Sequence, residues 1–64
     1  MNILVVEDNY VERSNLVRML KSLDIDIKIF EAITGEEAIK TLEQETIQLV
    51  YSIQISILKN NQKP

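Results

Sequence analysis

Apolar residues along this chain change their spacing four times, and each change marks a new element. Ile3, Leu4, Val5 and Val6 form a continuous run inside the segment NILVV. A run this short that does not alternate predicts a strand covered on both faces, as in parallel sheets. The spacing then becomes helical. Leu16, Met19, Leu20 and Leu23 recur at three- or four-residue intervals, with Val11 about a turn upstream and Glu12, Arg13, Arg18 and Lys21 at polar positions. This predicts a helix over residues 10–22, with Asp8 and Asn9 as natural N-caps and Glu12 in the first turn, where a carboxylate complements the helix dipole. Next, Ile25, Ile27 and Ile29 alternate with Asp26, Lys28 and Phe30. A strand of about six residues with one wetter face fits, which suggests a sheet edge. Thr34 followed by Glu37 is a capping box, in which each side chain is expected to satisfy an amide of the first turn. It opens a short helix, residues 35–44, with Ala38, Ile39 and Leu42 as its apolar stripe. Alternation then returns. Ile47, Leu49, Tyr51, Ile53, Ile55 and Ile57 are all large and apolar, and the positions between them are mostly polar. The pattern predicts a long third strand, and its β-branched isoleucines argue against a helix over residues 53–58.

The order strand, helix, strand, helix, strand predicts an α/β fold with a parallel sheet and right-handed crossovers. In the doubly wound arrangement the first strand lies between the other two, giving sheet order 2-1-3, and the helices take opposite faces. The third strand is then left with an open outer edge. A strand of about ten residues spans roughly 33 Å, twice what the first strand can accompany. No charged residue lies between Ile47 and Leu58 to discourage further pairing. The expected solution is a homodimer. Two third strands would pair antiparallel about a two-fold axis, with Leu49, Tyr51, Ile53, Ile55 and Ile57 at the interface. Residues 1–58 would form the domain, and the polar segment 59–64 a tail.

Composition sharpens this expectation. The chain has 64 residues, no cysteine, no histidine and a formal net charge of −3. A domain this small buries only about 60% of the surface its unfolded form exposes, so it needs a cross-link, a metal, very tight packing or a partner. Disulfides and thiolate or imidazole zinc sites are excluded by the residue types present. An acidic chain without a basic cluster is a poor nucleic-acid binder. No apolar run approaches the ~20 residues that span a membrane. The segment MNILVVEDN has neither a basic n-region nor a small-residue cleavage site. A soluble cytoplasmic protein with no nucleic-acid or membrane partner is therefore expected.

The acidic pair Glu7-Asp8 follows the first strand. In an open α/β sheet, ligands bind at the carboxyl ends of the strands near the switch in strand order. Two adjacent carboxylates with nearby carbonyls suit a hard cation such as Mg²⁺. From the residues alone a second reading stands beside this one, in which Asp8 caps the helix and Glu7 is solvated.

The stretch ILVVEDNYVERSNLVRMLKSL, followed by FEAITGEEAIKTLE, resembles the N-terminal half of a response-regulator receiver domain of two-component signalling. The shared features are a strand, an acidic pair, a helix, a second strand, and an A-x-x-G-x-E-A segment, here Ala32, Gly35, Glu37 and Ala38. The resemblance implies a flavodoxin-like fold. It also implies Glu7 and Asp8 as Mg²⁺ carboxylates, and a phosphoacceptor aspartate at the end of the third strand. This chain departs from the family there. Ser52 stands at or beside that position, and no aspartate follows Asp26. A serine hydroxyl is a weak nucleophile without an activating base. The later strands of the family are not represented either. The resulting expectation is a truncated, non-phosphorylatable receiver-like protein that is not an enzyme and requires no cofactor. It would act as a dimerising interaction module, with another signalling protein as a further candidate partner. The alternative is a working phosphorelay receiver that uses Mg²⁺ at the acidic pair and borrows missing residues from a partner chain.

Overall fold

The computed structural model describes residues 1–52. Its elements are β1 (Asn2–Val6), α1 (Tyr10–Lys21), β2 (Lys28–Ala32), α2 (Gly35–Gln44) and β3 (Leu49–Ser52). The strands form a parallel sheet in the order β2-β1-β3, the α/β topology expected from the sequence.

β1 is central because its sequence suits burial on both sides. Leu4 and Val6 pack with Ala32 and Ala38 on the α2 face. Ile3 and Val5 pack with Leu20 on the opposite, α1 face. Ile3, Leu4 and Val5 are the largest fully buried side chains among the described residues, and each contributes about 1.5–3 kcal/mol on burial. Both helices pack over β1 and β2. At the foot of the sheet, Asn2 ties β1 to the start of β3. Its backbone N–H donates to Gln48 Oε1 at 2.6 Å, its side-chain amide donates to Thr46 O at 2.8 Å, and its carbonyl accepts from Gln48 N–H at 3.0 Å.

Several elements depart from the sequence pattern. The packed face of α1 is Leu16, Val17 and Leu20, whereas Val11, Met19 and Leu23 are exposed. The helix sits on β1 and β2 with residues one turn apart facing inward, and the stripe that includes Met19 lies off to one side. Asn9 is the N-cap, accepting from Glu12 N–H at 3.0 Å, so Asp8 is relieved of that role. β2 begins only at Lys28. Asp24 folds the preceding residues into a turn: its carboxylate accepts from Asp26 N–H and its carbonyl from Ile27 N–H. Aspartate favours such turns because its short side chain reaches backbone two residues on. Ile25 falls in this turn and is 96% exposed. β2 is an edge, as expected, but it has no simple wet face: Phe30 packs on the α2 side and Ile29 on the α1 side.

Two further differences concern α2 and β3. Thr34 caps α2 by accepting from Glu37 N–H at 3.2 Å, but Glu37 reaches past the N-cap to accept from Ile33 N–H at 2.9 Å. Of the expected α2 stripe, Ala38 is buried while Ile39 and Leu42 are exposed. Ile47 precedes β3 and packs in the α2-side cluster. Leu49 and Tyr51 are paired with Ile3 and Val5 of the α1-side row. Ile47 therefore does not continue the row of Leu49 and Tyr51, because the segment before the strand has no pleat to enforce alternation. The expected strand positions Ile53, Ile55 and Ile57 lie outside the described residues.

Candidate functional site

The carboxyl edge of the sheet gathers the residues singled out for chemistry. Val6 ends β1 and is paired in register with Ser52, the last described residue of β3. Glu7 and Asp8 follow Val6 directly, so the acidic pair and Ser52 meet at one edge. The two carboxylates have opposite surroundings. Glu7 is 2% exposed. Its Oε1 accepts from Asn9 N–H at 3.1 Å, and its own N–H donates to Ala32 O at 3.0 Å. Asp8 is exposed. The first carboxylate therefore braces the turn between β1 and α1 and the second faces outward, so the reading in which Asp8 caps the helix and Glu7 is solvated does not hold.

Arg13, read in the sequence as one polar helix position among several, makes several side-chain contacts at this edge. It is on the inward face of α1, one turn before Leu16 and Val17 and two before Leu20. Its Nη1 donates to Glu7 O at 2.9 Å and its Nε to Glu31 Oε1 at 3.0 Å. Its guanidinium carbon also lies 5.6 Å from the centroid of the Tyr10 ring. One arginine thus joins the end of β1, the edge strand β2 and the first turn of α1. The clue was present in the helical phase, since Arg13 shares the face of Leu20 and must meet the sheet near a charged position of β2.

The acidic pair offers a hard cation two carboxylates at most, the rest of an octahedral shell being left to carbonyls or water, and among the described residues no group of three or more acidic, histidine or cysteine side chains stands together. One oxygen of Glu7 is already committed to the β1–α1 turn. Ser52, half-buried in register with Val6, has no histidine in the chain to activate it.

The other candidate surface is β3 itself. Leu49, Val50 and Tyr51 are 45%, 42% and 39% exposed, although they occupy a strand beside the most buried one. Neither helix lies mainly over them, and β3 is the last strand of the sheet on its side among the described residues. Of the expected interface, Leu49 and Tyr51 are therefore placed on an uncovered strand, and Ile53, Ile55 and Ile57 are outside the described residues. No helix among the described residues is long and apolar enough to cross a membrane. Comparisons with protein-family models, curated proteins and solved structures returned no match for this chain.

Proposed function

We propose that this chain is a receiver-like interaction module that works by pairing the outer edge of β3 with that of a second copy, and not by accepting a phosphoryl group. One observation carries the reading: among the described residues β3 is an edge strand whose Leu49, Val50 and Tyr51 remain about two-fifths exposed or more. The sheet has another edge, β2, but the two edges differ in chemistry. β2 exposes Lys28 and Glu31, and charges on an edge strand discourage pairing. β3, with the sequence LVYS, carries no charge. Antiparallel pairing of two β3 strands about a two-fold axis would join two three-stranded sheets into one of six strands. The receiver resemblance supplies the context of two-component signalling. The missing carboxylate nucleophile and the incomplete cation site are why phosphoryl transfer is not proposed.

Sedimentation equilibrium of the full chain across the micromolar range tests the reading. A dimer is expected, and Tyr51→Lys, which puts a charge on the pairing strand, should shift it to monomer with its helical circular dichroism retained. A wild-type chain that stays monomeric and fully folded throughout would end the proposal.

A further inference from the structure

We propose that the step between α2 and β3 is a docking site for a basic amphipathic helix of another protein. This site is complete within one chain and does not depend on β3 pairing. The argument begins with the phase of α2. Ala38 is seated on the sheet at 8% exposure. The β2–α2–β3 connection is a crossover between parallel strands, which is right-handed. With successive residues turning about 100° around a helix that runs against the strands, Ile39 and Leu42 fall on the flank of α2 nearer β3. Glu37 and Thr41 fall on the flank nearer β2. The hydrogen bond from Ile33 N–H, just past the end of β2, to Glu37 Oε1 fits this assignment.

The flank toward β3 is apolar and open, with Ile39 58% and Leu42 46% exposed. Beside it lies the α2 face of β3. Val50 is paired with Leu4, a member of the α2-side cluster, and is 42% exposed. Ile39 and Leu42 form a wall and Val50 a floor. The size suits a helix. Strands lie about 4.8 Å apart, so β3 is roughly 7 Å sideways from a helix centred between β1 and β2. A second helix packed on α2 at an axial distance of about 8–10 Å would sit over β3 and its outer edge.

Charge selects the occupant. The same helical phase puts Glu36 and Glu43 on the outer rim of this flank, and both are exposed. Lys40 is the only basic residue of α2, against the acidic Glu36, Glu37 and Glu43. An apolar wall under an acidic rim is complementary to a helix with leucine-like residues on one face and lysine or arginine beside them. Helix-in-groove recognition of this kind reads anchors at three- and four-residue spacing.

The probe is a labelled leucine–lysine amphipathic peptide of about 15 residues, near the length at which isolated helices become stable, compared with its leucine–glutamate counterpart. Fluorescence anisotropy with the full chain should show saturable binding of the lysine peptide alone. Leu42→Gln and Glu43→Lys should each weaken it about tenfold or more, a loss typical of an interface anchor. Val11→Gln, on the opposite face, should leave it unchanged. Glu43 is exposed, so its variant keeps the test valid if Leu42→Gln does not fold. Equal binding of both peptides, or wild-type affinity in folded Glu43→Lys, overturns the proposal. Zero-length cross-linking separates the other occupants: a link from Glu43 to Lys59 or Lys63 of the same chain, or to Lys21 of a second copy, without peptide binding, overturns it as well. Sedimentation of the same samples keeps the β3 reading separate, since peptide binding by a monomer removes that reading and leaves this one.

Discussion

Arg13 reads in the sequence as one polar position among several on a helix, yet it joins three elements. Its partners are unequal. Glu31 is 50% exposed on its side chain while Arg13 is 12% exposed, so the ion pair itself is largely screened and is worth a few tenths of a kcal/mol up to about 1 kcal/mol. The hydrogen bond to Glu7 O is shielded, and losing a charged donor from such a carbonyl costs about 1.5–3 kcal/mol. Arg13→Ala should therefore lower the unfolding free energy clearly more than Glu31→Ala in matched urea titrations. Equal losses would mean that the Glu7 carbonyl finds water as readily as it finds Arg13. Glu7 belongs to the same turn. As an acidic residue after a strand it suggested a ligand site, and in the fold one of its oxygens accepts a backbone N–H two residues on. Sequence carries the residue type and its neighbours; the direction of the side chain was set by the chain reversal between β1 and α1.

At the scale of elements, burial separates positions that the sequence treats alike. Leu4 is wholly buried and Ile39 mostly exposed, although both sit in apolar patterns. Leu4→Ala should cost about 2–5 kcal/mol, as for other core leucines, and Ile39→Gln under about 1 kcal/mol, as for surface changes. Both are measurable by denaturant unfolding, and a large loss for Ile39→Gln would show that something in solution covers that flank of α2. The same contrast explains what was legible. Element order, the parallel sheet and the central place of β1 followed from runs and periods, because a strand buried on both faces has no other way to satisfy four adjacent apolar residues. The start of β2 was missed because the Ile25, Ile27, Ile29 alternation is indifferent to the turn that Asp24 builds through its own side chain and carbonyl. The inward face of α1 was misphased because Met19 and Leu23 are as hydrophobic as Leu16 and Val17, and only the position of the sheet decides between them. The candidate site was half legible. Its location at the carboxyl edge came from topology, but Arg13 required knowing which way α1 faces.

For the whole molecule, the described residues form a small core on each side of one strand, with apolar surface left along β3. A fold of this size has a net stability of only ~0.05–0.15 kcal/mol per residue, so covering β3 with a second copy would be a large share of the total. Thermal unfolding should then depend on protein concentration, with the midpoint rising as the chain is concentrated; Tyr51→Lys should abolish that dependence. The central position of β1 also bears on how the chain is made. β1 is synthesised before both of its neighbours, and its bond from Asn2 to Gln48 spans 46 residues. No hairpin shelters it in the meantime, because both of its strand pairings among the described residues are parallel. The four most apolar consecutive positions of the sheet must wait while β2, and then β3, emerge. Contacts this distant in sequence close slowly, and during that interval β1 is the segment a ribosome-associated chaperone would have reason to hold.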